Sequence, residues 1–222
     1  MEQLKCTSLW ELPFATLAAP LLQKFSYPWE ALSELSSFIL SCGEDLSKDA
    51  YELRGENVWI AKSARVASSA CIIGPCIICA QAEVRHCAFI RGSAIVGKGA
   101  VVGNSTELKN CILFDGAAVP HYNYVGDSIL GYRSHMGAGA ITSNVKSDKG
   151  EVRVFCDGAR ISTGRRKVGA MLGDGVEIGC GAVLNPGCVI GRNATVYPLS
   201  SVRGFVPPSH IWKSDTCVVP KI

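Results

Sequence analysis

The 222 residues include 22 Lys+Arg and 19 Asp+Glu, for a net charge of +3, with 48% apolar and 18% charged residues. At about 100–200 residues per domain this is one domain with at most a small appendage, and the apolar share excludes wholesale disorder. The mild charge gives no reason to expect nucleic acid as a partner, while leaving room for a local basic patch that meets a small anion.

Residues 1–54 differ in kind from the rest. Met1–Lys5 lacks the basic-then-apolar design of a signal peptide. The longest apolar run, Leu12–Leu22, holds Pro13 and Pro20 and falls short of the ~18 residues a membrane span needs. A cytoplasmic protein without a membrane partner is therefore expected, and its eleven scattered Cys read as reduced thiols. Pro28 suits a first helical turn, and Trp29, Leu32, Leu35 and Ile39 recur at helical spacing. Residues 9–24 form a weaker helix broken by proline. Together they predict a small helical cap over the open end of the domain that begins at residue 55.

From residue 55 a period of six takes over. Ile60, Val66, Ile72, Ile78, Val84, Ile90, Val96, Val102, Leu108 and Phe114 are all large and apolar. Small or aliphatic residues follow four positions later, as in Ala64, Ala70, Ala82, Ala88, Ala94 and Ala100. Leu172, Ile178, Leu184, Ile190 and Val196 resume the pattern. Neither a 3.6-residue helix nor a two-residue strand alternation has this period. A triangular solenoid does, with three hexapeptides closing a coil of about 18 residues and coils pairing as parallel strands. Solenoid is expected over 55–209, with a phase slip near 119–124 and a tail over 210–222. The polar, basic stretch 145–167 predicts a loop or hairpin insertion, and such insertions cluster on the functional face.

This period converts spacing into geometry. Arg91 and Lys109 are one coil apart and each follows an inward aliphatic, so they should stack outward on one face. Two cations held that close call for an anion such as phosphate, unless both are simply solvated surface charges. His121 lies in Pro120-His121-Tyr122-Asn123-Tyr124-Val125-Gly126-Asp127. It is either a proton-transfer group or a histidine packed at a bend. His135 precedes Gly137-Ala138-Gly139-Ala140, whose glycines allow a ligand close to the backbone or merely turn corners. Cys76-Ile-Ile-Cys79 is a lone CxxC and predicts no metal site.

These segments resemble the C-terminal half of the bifunctional glucosamine-1-phosphate N-acetyltransferase/N-acetylglucosamine-1-phosphate uridyltransferases. The resemblance covers roughly residues 58–205 and is closest over 104–144. There the family has His-x-x-Tyr-Leu-Gly-Asp and then Gly-Ala-Gly-Thr-Ile-Thr-x-Asn-Tyr, and its archaeal-type members share the Ser-x-Gly-Arg-Arg-Lys stretch. It implies an all-β left-handed parallel β-helix of hexapeptide repeats, assembled as a homotrimer, that uses acetyl-CoA as co-substrate and no metal. The acceptor would be an amino-sugar 1-phosphate or nucleotide sugar. His121 matches the general base, Asn144 an orienting amide, and Ala138 the backbone N–H that faces the thioester carbonyl. Arg91 and Lys109 match the ligands of the sugar phosphate, and Tyr124 matches a further substrate contact. The family usually has Asn at His135 and Tyr at Val145, so these differences fall on substrate and acyl-donor contacts. Residues 1–54 hold no Gly-x-Gly-Thr-x-Met loop, so uridyl transfer is not expected of them. Two other readings are a silent trimeric sugar-phosphate-binding or scaffold protein and a γ-type carbonic anhydrase built on histidines.

Overall fold

The computed structural model describes residues 1–221, and a parallel β-helix of about nine turns forms its body. Coils pair in register: Val58 on Cys76, Trp59 on Ile77 and Ile60 on Ile78, with the next coil adding Ala94, Ile95 and Val96. The first face of the prism is this column. The second runs through Arg65–Val66, Glu83–Val84, His135–Met136, Glu177–Ile178 and Thr195–Val196. The third runs through Cys71–Ile73, Phe89–Arg91, Ile141–Thr142, Val183–Leu184 and Ser201–Val202. Along each strand, alternate side chains point into and out of the prism. The inward set, Ile60, Ile78, Ile90, Val96, Val102, Leu108 and their successors, forms one continuous buried core.

The phase slip is not where the sequence places it. Val119 and Val125 are both inward and six apart. The short steps are Leu108 to Leu113 and Val125 to Leu130. Leu113, not Phe114, pairs with Val96. At both places a corner has lost one residue, and strands Glu107–Leu113 and Tyr124–Leu130 run through from the third face to the first. Asn110 (φ 48°) and Asp127 (φ 47°) make these tightened corners in the left-handed region, which Asn and Asp tolerate better than most residues.

Phe114, turned outward, belongs to a second core. The outer column of the first face is Trp59, Ile77, Ile95, Ile112, Ile129, Met171 and Val189, all buried. The N-terminal segment covers it. Short helices at Cys6–Leu9, Ala19–Leu22 and Leu35–Glu44 wrap this side, rather than closing the prism's end as the capping pattern suggested. An end cap would shield a single coil, whereas a strap along the side buries apolar groups from seven. Trp10 anchors it: the fully buried ring lies 4.9 Å from that of Phe114, and its Nε1–H donates to Leu172 O at 2.9 Å.

The insertion is an antiparallel hairpin, Arg153–Cys156 with Ala159–Ser162. It lies down on the solenoid instead of projecting freely, because Val152, Val154 and Cys156 join the strap core. Residues 210–222, expected as a tail, hold strand His210–Ser214, which pairs with Thr195–Val196 and extends the second face, then returns as Cys217–Pro220. Among the described residues, no helix is long and apolar enough to cross a membrane.

Candidate functional site

Four of the seven residues expected to carry chemistry converge where the third face meets the first. Leu108 pairs with Ile90, so Arg91 and Lys109 occupy neighbouring rungs as their spacing predicts. The anion these cations call for is supplied in part by the chain itself. Arg91 Nε donates to Glu107 Oε1 at 2.5 Å, and Lys109 Nζ to Asp127 Oδ2 at 3.2 Å. Cation stacking alone is thus satisfied without a phosphate.

Asp127 is the hub. Its side chain is 3% exposed. Besides Lys109 it accepts from Asn110 Nδ2 at 2.7 Å and from Asn144 Nδ2 at 2.5 Å. A buried carboxylate is tolerated only with such donors. The network fixes the direction of Lys109 and Asn144. Tyr124, on the rung between, has its phenol pushed up by burial first and by the Glu107 and Asp127 carboxylates second. Gly169 closes the base of the hairpin here. Its N–H donates to Asp127 O at 2.8 Å, and a Cβ on it would collide with Gly126 O.

His121 and Ala138 lie at the neighbouring corner, between the second and third faces. Gly139 N–H donates to His121 O at 3.0 Å, which sets Ala138 one rung beyond His121. Asn123 locks this corner from inside. It accepts from His121 N–H at 3.1 Å and donates to Gly137 O at 2.8 Å and Ala140 O at 3.0 Å. The His121 ring is exposed and, among the described residues, bonds to nothing. Ala138 is an exposed residue and its N–H likewise has no acceptor among them, as is also true of Cys180 one rung on. A free backbone N–H next to an unengaged imidazole is what an oxyanion donor and a base require. His135 is not part of either cluster: it stands on the second face, with Nδ1 2.9 Å from Glu177 Oε2.

The sequence reading missed Glu107, Asn110 and Asp127 as partners, although Asp127 closes the quoted His121–Asp127 segment. The hairpin returns at Lys167, whose backbone bridges to Val145, while Val168 N–H donates to Asn144 O at 3.1 Å. Among the described residues, no three His, Cys, Asp or Glu of one chain gather to hold a metal ion. Cys76 points into the core while Cys79 lies under the strap, and burial raises both thiols, that of Cys79 to about 12.

Residues 169–204 match the bacterial transferase hexapeptide model of six repeats. The solenoid carries hexapeptide repeats. Residues 72–163 of this hexapeptide-repeat chain match the GMPPB C-terminal domain. A bifunctional sugar-1-phosphate nucleotidylyltransferase/acetyltransferase from Sulfurisphaera tokodaii is 36% identical over 125 residues, 56% of this chain and 31% of the relative. A bifunctional protein GlmU from Methanococcus maripaludis is 33% identical over 199 residues, 88% of this chain and 48% of the relative. The chain thus spans half or less of the length of these curated relatives. Among solved structures, the acetyltransferase domain of PglB from Neisseria gonorrhoeae in complex with acetyl coenzyme A aligns with 74% of this chain and 57% of its own, at 16% identity and a TM-score of 0.30.

Proposed function

We propose that the hexapeptide-repeat solenoid is an acetyl-CoA-dependent N-acyltransferase for an amino-sugar 1-phosphate or nucleotide sugar. The observation that carries this is the convergence of Arg91, Lys109, Tyr124 and Asn144 around Asp127, one corner away from His121 and the free Ala138 N–H. The relatives whose names pair acetyl transfer with sugar-1-phosphate chemistry support the substrate class. Nucleotidyl transfer is left out of the proposal, because residues 1–54 form a strap of short helices with no phosphate-cradling glycine loop.

The cations can take a phosphate despite their ion pairs. The Arg91–Glu107 pair is exposed, 42% and 33% for the two side chains, and such pairs are worth about 0–1 kcal/mol. Lys109 has three donors and gives one to Asp127. With the phosphate held there, the acceptor amine attacks the thioester carbonyl. Its nitrogen forms the new bond to carbon while His121 takes the nitrogen's proton. The Ala138 N–H meets the oxyanion, the C–S bond breaks, and the thiolate leaves to be protonated by His121. Base catalysis of this kind contributes about 10²–10⁴-fold, and holding amine and thioester together supplies most of the rest.

The homotrimer belongs to the same proposal. The strap occupies the first face, so copies meet through the second and third, on either side of the His121 corner. This also places His135 of one copy toward another's third face. Release of thiol from acetyl-CoA with a panel of aminohexose 1-phosphates tests the reading. Release that needs both the sugar amine and His121 supports it. Saturable sugar-phosphate binding without release would make the chain a binding protein instead.

A further inference from the structure

We propose that the groove between the hairpin and the last coils binds a nucleoside polyphosphate, with Arg153, Arg160 and Arg203 on the phosphates and Phe155 as platform for the base. This goes beyond the acyl-transfer reading and stands on the groove alone. A cavity of about 290 Å³ is lined by these four residues together with Lys146, Glu151 and Pro186. It continues on one side past Asp157–Ala159 toward Pro207 and on the other past Ser143 and Asn185, and Arg203 borders all three stretches.

The hairpin is two-sided. Val154 and Cys156 face the solenoid and are buried, while Arg153 and Phe155 alternate with them and face out. Phe155 pairs across the ladder with Arg160, whose guanidinium lies 5.2 Å from the ring centroid. Phe155 nevertheless remains 48% exposed, an aromatic surface left open beside cations.

The local acids, Glu151 of the cavity lining among them, already accept hydrogen bonds from other groups. Glu151 accepts from the Ser162 hydroxyl and from Gly164 N–H, Asp148 from Lys146 and Gly150 N–H, and Asp157 from Gln3 Nε2 at 2.6 Å. Among the described residues, Arg153, Arg160 and Arg203 enter no ion pair. The larger groove beside Arg54, Arg65 and Arg85, about 670 Å³, is the contrasting case: its three guanidiniums are already held by Glu52 and Glu83. Three guanidiniums without an ion pair around one cavity match the forked geometry of phosphate oxygens, and an exposed phenyl matches a base.

Two sources share this chemistry, a free nucleotide and the nucleotide end of an acyl-CoA. Arg203 follows Val202, which pairs through Leu184 to Thr142, so Arg203 stands two rungs beyond Ser143. That is about 10 Å at the spacing of parallel strands, within reach of one extended arm from Asn144.

Calorimetric titration of the full chain with adenosine 3′,5′-bisphosphate, ADP and ribose 5-phosphate tests the proposal. The two nucleotides should bind, weakening steeply with salt, and ribose 5-phosphate should bind less tightly. Arg160→Gln/Arg203→Gln should weaken nucleotide binding at least tenfold and Phe155→Ala severalfold, with the melting temperature kept because all three side chains are exposed. No binding at millimolar nucleotide, or equal affinity in the double variant, overturns the proposal. The thiol-release assay separates the sources. A raised KM for acetyl-CoA at constant kcat in the double variant assigns the groove to the donor's tail. An unchanged KM alongside lost nucleotide binding assigns it to a free nucleotide. Failure of thiol release altogether would leave the binding result standing.

Discussion

The first and third faces of the prism are built on the same skeleton and have opposite fates. On the first, outward Ile77, Ile95, Ile112 and Ile129 form an apolar column that the strap covers. On the third, the outward positions carry Arg91, Glu107, Lys109 and Tyr124, which the strap leaves uncovered. Inward residues make the fold on both. Outward residues decide whether a face becomes a second core or a polar site, and the two tightened corners at Asn110 and Asp127 are where one passes into the other.

Breaking the polar side should change rate before stability. His121→Ala is expected to lower acyl transfer by about 10²–10⁴-fold. It should leave the urea midpoint unchanged, since the ring is exposed and makes no contact that the fold uses. Steady-state rates and urea melts of the same preparation check both halves.

Breaking the covered side should do the reverse. Trp10→Ala removes a fully buried indole and its hydrogen bond to Leu172, and is expected to lose about 3–5 kcal/mol of stability, read by urea unfolding. If the strap only decorates the solenoid, the loss will fall below about 1 kcal/mol.

Asp127→Ala tests the boundary between the faces. It strips a buried hub from Lys109, Asn110 and Asn144. A loss of about 2–3 kcal/mol is expected, together with a raised KM for the sugar phosphate, because Lys109 loses its direction.

The smallest effect is on pH. Asp115 and Asp174, both beside the strap, have carboxyls raised above the usual aspartate value by burial first, despite backbone N–H donors. A raised folded-state value means the folded form binds the proton more tightly. Their contribution to stability is therefore full below the ordinary aspartate value and declines as pH rises through the raised one. Asp115→Asn should flatten that decline slightly in unfolding measured across mildly acidic pH, and an unchanged slope would contradict it.

The prism was legible in the sequence because Ile60 through Leu108 keep one period, and a periodic core needs no knowledge of distant contacts. The period misled at Phe114, where a corner lost a residue and an apolar side chain faced a partner instead of the core. The strap's site was illegible from its own residues, since Trp10 and Leu21 say only that they need cover. The signal lay in the solenoid, where Cys76-Ile77-Ile78 and Ala94-Ile95-Val96 are apolar on both sides of the strand. Of the site, Arg91 and Lys109 followed from spacing, whereas Glu107 and Asp127 became visible only through register.

The central claim is that Arg91 and Lys109 hold the acceptor's phosphate while His121 serves its amine. Its most direct test compares an aminohexose with its 1-phosphate as acceptor, in the unsubstituted protein and in Arg91→Ala/Lys109→Ala. The account predicts a large kcat/KM advantage for the phosphate in the first, nearly erased in the second, because cations and phosphate are two ends of one interaction. An advantage of equal size in both proteins would contradict it.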